Sequence, residues 1–261
     1  ATDLTVVVGG QSIGFTKVGS AYVPDQETGA TLDSTATYFT SADGTVVQFQ
    51  DVDELAGHTD SFRAAEKVTF PDGVEHTFTY QTGVLMVRYT YDPEEIPTFV
   101  TRTRLISINS STGYQIKLKY LSNDENDWDW TDLSKAISIN NKVEYCDPSA
   151  NSCSLSENWP EVNYSGISLA AISSVTDPEG RTTSYTYSGL KVASITPPGT
   201  GSSPTSMTYS GDKVSTISRG GGTWTYTSST SMGITTTQVT DPANNTDTYS
   251  TEGGYLGGMT R

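Results

Sequence analysis

One short pattern constrains this chain more than any other feature. A glycine closes a polar turn, and a strand-like run follows, with an apolar residue five positions on and a tyrosine seven on. Gly73 leads to Phe78 and Tyr80, Gly113 to Leu118 and Tyr120, and Gly180 to Tyr185 and Tyr187. Side chains alternate across a strand, so positions +5 and +7 share one face. The other face is polar in each copy: Glu75, Thr77 and Thr79; Gln115, Lys117 and Lys119; Thr182, Ser184 and Thr186. Each unit is therefore a half-buried strand launched from a Gly turn. Such a unit cannot bury its own face and has to stack on its neighbours.

Composition fits a wet β protein. Hydrophobic residues make up only 34%, low for a compact core, yet 15 Tyr and 24 Gly stand among many Ser and Thr. Disorder would want few aromatics, whereas Tyr and Thr suit pleated, half-wet sheets. The best helical window, Trp130 to Ile137, is short. A net charge of −15 repels phosphate backbones and anionic membrane faces, so nucleic acid is excluded as a partner. No run of about 18 apolar residues is present, which predicts no membrane span.

Along the chain, residues 1–121 read as β-hairpins, degenerate at the start. Gly44 heads a looser copy, with Phe49 at +5 and Asp51 at +7. Residues 122–165 depart from the pattern and read as one long inserted loop, acidic and aromatic, with both cysteines. Residues 166–261 are the most repetitive: Tyr187-Ser188-Gly189 and Val192 to Ile195 return as Tyr209-Ser210-Gly211 and Val214 to Ile217. An offset of roughly 20 residues that carries turns suits one hairpin per unit. No capping segment follows at Arg261, which predicts a piece of a larger array or a subunit capped by another copy.

These residues resemble the RHS/YD-repeat family. Tyr89-Thr90-Tyr91-Asp92 matches the motif that gives the family its name. Asp177-Pro178-Glu179-Gly180-Arg181 with Tyr185-Thr186-Tyr187 resembles its turn and return strand, as do Arg104 to Ile108 and Gly113-Tyr114. Gly220-Gly221-Gly222 and Asn244-Asn245 depart from the usual turn. The resemblance implies an all-β fold of antiparallel hairpin repeats winding into a spiral sheet, and roles in encapsulation, cell-surface contact or adhesion at a bacterial surface or outside the cell. The family's self-cleaving aspartic segment has no match here, so no catalytic residue is carried over.

The remaining candidates come from the residues themselves. Cys146 and Cys153 enclose a turn-rich loop and are expected to form a disulfide in an oxidising compartment, the alternatives being a reduced pair or half of a metal site. Asp124, Asp127 and Asp129, with Glu125 and Asp132, are candidate calcium ligands, but the segment lacks EF-hand spacing and reads equally as a solvated acidic loop. Trp128, Trp130 and Trp159 flank that segment and could hold a sugar ring such as a cell-surface glycan, or simply cover the core. His58 and His76 are the only histidines, and His76 reads as structural on the Phe78 and Tyr80 face. The tyrosine ladder reads as cross-strand packing. The expected protein is a non-enzymatic extracellular β-repeat scaffold whose partners are other copies or the rest of an array. A self-assembling filament or adhesin subunit and a carbohydrate-binding β protein are the alternatives.

Overall fold

The computed structural model describes residues 3–52, 63–87, 98–166, 171–199, 201–252 and 255–260. The Tyr89–Asp92 motif, His58 and Arg261 lie outside the described residues. Those described form antiparallel strands and one short 3₁₀ turn, with no α-helix. The chain divides into two units, 1–161 and 162–261.

The first unit is a meander. Its strands are β1 (Asp3–Val8), β2 (Gln11–Val18), β3 (Ala21–Pro24), β4 (Thr31–Leu32), β5 (Tyr38–Thr40), β6 (Val46–Asp51), β7 (Arg63–Thr69), β8 (Glu75–Val87), β9 (Thr98–Ser110), β10 (Tyr114–Tyr120) and β11 (Leu133–Asn140). Consecutive strands pair antiparallel from β1 through β11. Val6 and Phe15 from β1 and β2 pack with Leu32, Phe39 and Val47 from β4 to β6. The rings of Phe15 and Phe39 meet edge to face at 6.3 Å although two strands separate them in pairing order, so the sheet curls over its own apolar face.

The second unit continues the same plan with β12 (Glu161–Ser165), β13 (Ser174–Thr176), β14 (Thr182–Ser188), β15 (Lys191–Thr196), β16 (Thr205–Ser210), β17 (Lys213–Arg219), β18 (Gly222–Ser231), β19 (Ile234–Thr240), β20 (Thr246–Glu252) and β21 (Tyr255–Thr260). Neighbours again pair antiparallel in sequence order. Among the described residues β1 pairs only with β2, and β21 only with β20, so each meander is open, not closed into a barrel. The all-β, antiparallel hairpin-repeat class expected from the sequence is the fold observed.

The repeat has a physical basis in two devices. The first is the turn. Ser41–Thr45, Phe70–Val74, Asp177–Arg181 and Asp241–Asn245 close with the same two backbone bonds: the first N–H donates to the fifth carbonyl, and the fourth N–H to the first carbonyl. The fourth residue is left-handed each time: Gly44, Gly73, Gly180 and Asn244, the last at φ 64°. Asn tolerates that region better than other side chains, so Asn244-Asn245, which departs from the repeat in sequence, keeps its geometry. An aspartate Oδ1 accepts the fifth N–H in all four: Asp43 at 2.9 Å, Asp72 at 3.0 Å, Asp177 at 2.9 Å and Asp241 at 2.8 Å.

The second device is a bulge pinned by tyrosine. The pairing register shifts immediately before Tyr80, Tyr120, Tyr187 and Tyr209. Each of these hydroxyls donates back to a carbonyl 15 to 17 residues earlier: Tyr80 to Ala65 at 3.0 Å, Tyr120 to Leu105, Tyr187 to Ile172 at 2.8 Å and Tyr209 to Val192 at 2.8 Å. A bulge leaves the ladder locally unpaired and increases twist. The phenol reaches a carbonyl on the preceding side, beside the preceding register shift: Ala65 stands opposite Phe49, Leu105 opposite Tyr80 and Val192 opposite Tyr187. The ladder thus carries a hydrogen-bonding role besides packing. Burial raises the pKa of Tyr80 and Tyr120 accordingly. At Thr251 the register shifts again, and a threonine hydroxyl stands in, 3.4 Å from the Thr235 carbonyl.

Candidate functional site

The segment between β10 and β12 is more ordered than an inserted loop. It contains β11, which pairs along β10 as an ordinary repeat strand. The sequence window from Trp130 to Ile137 is accordingly not a helix: only Trp128–Thr131 makes a 3₁₀ turn, and Leu133 onward is strand, where Ile137 and Ile139 alternate inward. Two polar segments flank β11, and each folds down onto the sheet.

The acidic segment is held by two arginines. Arg102 donates to the carbonyls of Glu125 at 2.6 Å, Asp127 at 2.7 Å and Trp128 at 3.3 Å. Arg104, 4% exposed, donates to the Trp130 carbonyl at 2.7 Å, the Ser122 carbonyl at 2.9 Å and Gln81 Oε1 at 2.8 and 3.0 Å. Its guanidinium lies 4.3 Å from the Trp130 ring centroid and 4.6 Å from that of Tyr120. Burial lowers the pKa of both arginines. Gly83 permits the approach: a Cβ there would meet Glu125 Cβ at 2.9 Å and Trp130 Cζ2 at 3.0 Å.

This arrangement decides where the predicted ligand residues stand. Trp130 is buried at 1% exposure between the arginines. Trp159 packs on the Ile137–Ile139 cluster and donates to Glu144 at 2.8 Å. Trp128 alone of the three is widely exposed, at 68%, so the three indoles do not form one platform. Asp124 and Asp127 each accept a backbone N–H two residues on, from Asn126 at 3.0 Å and Asp129 at 3.1 Å. Asp132 has its pKa raised by burial and by Asp129 against the pull of Arg102. Among the described residues no group of three His, Cys, Asp or Glu is placed to hold a metal ion. His76 packs edge to face on Phe70 at 4.9 Å.

The second segment carries the cysteines. Cys146 and Cys153 are joined, with their Cα atoms 5.6 Å apart. The loop they close lies over β9 and β10 on the face that carries Ser107, Gln115 and Lys117, which are 0%, 1% and 1% exposed. Lys117 donates to the carbonyls of Asp147 at 3.3 Å and Pro148 at 2.9 Å. Ser107, opposite Lys117 in register, donates to the same Pro148 carbonyl at 3.0 Å. Both amide atoms of Gln115 are buried with no protein partner. Burial pushes the Lys117 amine down to about 8, with Asp147 pulling the other way. The exit of the loop is pinned by Glu144, which accepts from Ser156 N and Oγ, Glu157 N and Trp159 Nε1, so its carboxyl falls to about 2.

Sequence reasoning missed this cluster because Gln115, Lys117 and Lys119 occupy the face that is polar and wet in other copies. The one available signal was proximity in sequence to a cysteine-closed loop that needed a surface to lie on.

The second unit presents two faces and no buried residue among those described. One carries half-buried Tyr185, Ile195, Met207, Ile217, Trp224 and Tyr226, where Tyr185 stands opposite Ile195, Ile217 opposite both Met207 and Trp224, and Tyr226 opposite Val239. The other is a lattice of hydroxyls. Thr176 meets Thr182 at 2.9 Å, Thr186 meets Ser194 at 2.7 Å, Thr208 meets Thr216 at 2.6 Å, Ser218 meets Thr223 at 2.9 Å and Thr240 meets Thr246 at 3.2 Å.

No family model matches the chain, and no curated protein matches it. Among solved structures, a chain of TcdB2-TccC3-TEV aligns over 96% of this chain and 18% of its own length, with 12% identity and a TM-score of 0.29. A likeness at that TM-score carries no argument about fold or function, and this chain spans less than a fifth of the length of the one it matches.

Proposed function

We propose that the chain is a structural wall: an extracellular β-repeat scaffold of the RHS/YD type, without chemistry of its own. The observation that carries this reading is the second unit, a meander whose described residues include none that is buried. A sheet with one aromatic face and one hydroxyl face suits a layer between solvent or cargo on one side and further protein on the other. The disulfide supports an oxidising location. The two polar segments of the first unit are bound to the sheet by arginines and a lysine, and one of them is closed on itself by a disulfide, which suits a cap more than a mobile binding loop.

A second reading is a filament subunit, favoured by strands β1 and β21, each with one described partner. Unpaired edges template pairing between molecules, and head-to-tail docking that does not close gives a fibre. Electron microscopy of the purified chain at micromolar concentration and neutral pH separates the two. Long regular fibres would reject the wall in favour of the filament; isolated particles would reject the filament. A glycan array bears on the third reading. Binding that Trp128→Ala abolishes would replace both scaffold readings with a carbohydrate-binding one.

A further inference from the structure

The loop over Lys117 is held down in two different ways. Its exit, Leu155 to Trp159, is seated by apolar contact with Ile137 and Ile139 and by the four bonds to Glu144. Its middle rests on polar groups: Lys117, Ser107, and Arg104 reaching Asn151 at 3.3 Å. Beneath the middle lie a cationic amine without a bonded carboxylate and a carboxamide with neither atom paired. A buried unpaired carboxamide, and a buried ammonium held only by two carbonyls, are unfavourable relative to water. Hydration of Lys117 and Gln115 therefore favours an open middle, while the exit favours staying closed. Opening of the middle is opposed by the bonds from Lys117, Ser107 and Arg104 and, in addition, by the covalent bond between Cys146 and Cys153, which restricts the open forms of the loop.

We propose that the Cys146–Cys153 disulfide is a thiol-sensitive latch, whose reduction frees residues 147–152 from β9 and β10 and unmasks the Lys117 amine beside Ser107 and Gln115. The reductant is a dithiol. It gives two electrons and two protons to the cystine, leaves two cysteine thiols, and closes its own disulfide. The exit stays on Ile137 and Ile139, so the change is local. Cross-linking a loop this short disfavours its open forms by up to on the order of 50-fold in the chain-entropy account, a ceiling because Cys146 and Cys153 also pack with Ile137 and Ile139, and reduction returns part of that factor. The inference is independent of the scaffold reading, since it concerns only the cluster under the loop.

The test is pulse acylation of amines at neutral pH with a small reagent, read by peptide mass spectrometry. The exposed Lys213 of the second unit is the internal reference. The labelling rate of Lys117 relative to Lys213 is expected to rise at least several-fold, up to on the order of 50-fold, when a dithiol is added. The paired variant Cys146→Ser, Cys153→Ser should show the same high ratio without reductant. An unchanged ratio in both experiments overturns the proposal. So does a rise accompanied by loss of amide exchange protection across β10 and β11, because that would be unfolding of the sheet and not release of a latch.

Discussion

Lys117 allows the energetics of the covered face to be measured by pH alone. Its amine is pushed from 10.5 to about 8 by burial. Between those values the unfolded chain binds more protons than the folded one, so stability rises with pH. Below about 8 the folded state carries the full cost of a buried charge. At 1.36 kcal/mol per unit, a shift of this size corresponds to about 3 kcal/mol, of which about 2 kcal/mol is recovered between pH 7 and 9.5. Measurement should stop at 9.5. Tyr80 and Tyr120 have raised pKa values, so ionisation of the unfolded chain works against the folded state above about 10.

The perturbation is Lys117→Met, which keeps an unbranched apolar stem of similar length up to Cε and removes the charged amine. The variant loses the bonds to Asp147 and Pro148, about 1.5–3 kcal/mol each for charged donors, while Ser107 still serves Pro148. At pH 7 these losses and the relieved burial largely offset each other, so the midpoint alone decides little. The slope decides. In a Trp224→Phe background the remaining indoles, Trp128, Trp130 and Trp159, all report the first unit. Urea titrations followed by fluorescence should show wild-type stability rising by about 2 kcal/mol from pH 7 to 9.5, and the Lys117→Met profile flat. A flat wild-type profile, or the same rise in the variant, would refute the assignment of the penalty to Lys117.

Other perturbations probe the devices that build the sheet. Gly180→Ala meets no atom within 4 Å but forces alanine to φ 78°, so thermal unfolding of the second unit should show a loss of about 1–2 kcal/mol. Tyr209→Phe removes the bond to the Val192 carbonyl and should cost about 1 kcal/mol in the same assay; no change would mean that the phenol acts only through packing. Glu144 has a depressed carboxyl, so its contribution is present above pH 4.5 and is lost as pH falls toward about 2. Trp159 fluorescence should report loosening of the loop across that range, and Glu144→Gln should show the loosened signal already at pH 7.

The fold was legible where the local code is redundant. Pro71-Asp72-Gly73 and Asp177-Pro178-Glu179-Gly180 state their turns in backbone terms: a preset φ, an aspartate that accepts the closing N–H, and a left-handed residue. Alternation after each turn fixes which side chains share a face. The first unit was less legible because coverage is a property of the partner segment and not of the strand. Gln115 and Lys117 look wet in sequence, and only the disulfide loop makes them buried. Trp130 likewise looks like an exposed indole in an acidic run until Arg102 and Arg104, more than twenty residues earlier, draw it down. β11 was read as part of an insertion because its Leu133 to Asn140 run carries none of the Gly-to-Tyr spacing, although its Ile137 and Ile139 alternate as strand residues do.

Comparison of the two units gives the scaffold reading its physical content. In the first unit Val47, three after Gly44, is covered because β1 and β2 supply Val6 and Phe15 to its cluster, and Phe49 packs half-buried against it. The positions after Gly180 that match them are Thr183 and Tyr185, and both remain half-buried, with nothing among the described residues of their unit fully buried over them. The difference lies in amphipathicity. Tyrosine and threonine pack laterally with their cross-strand neighbours and keep a hydroxyl for water or a carbonyl, so a strand built from them tolerates an uncovered face that Val and Phe would not. On the opposite face, threonine and serine pair hydroxyl to hydroxyl across successive strands, which satisfies polar groups without charge. A sequence that spends its second unit on such residues specifies a sheet stable enough to persist with both faces wet and still able to accept a further layer, which is what a wall element requires and a closed globular core does not.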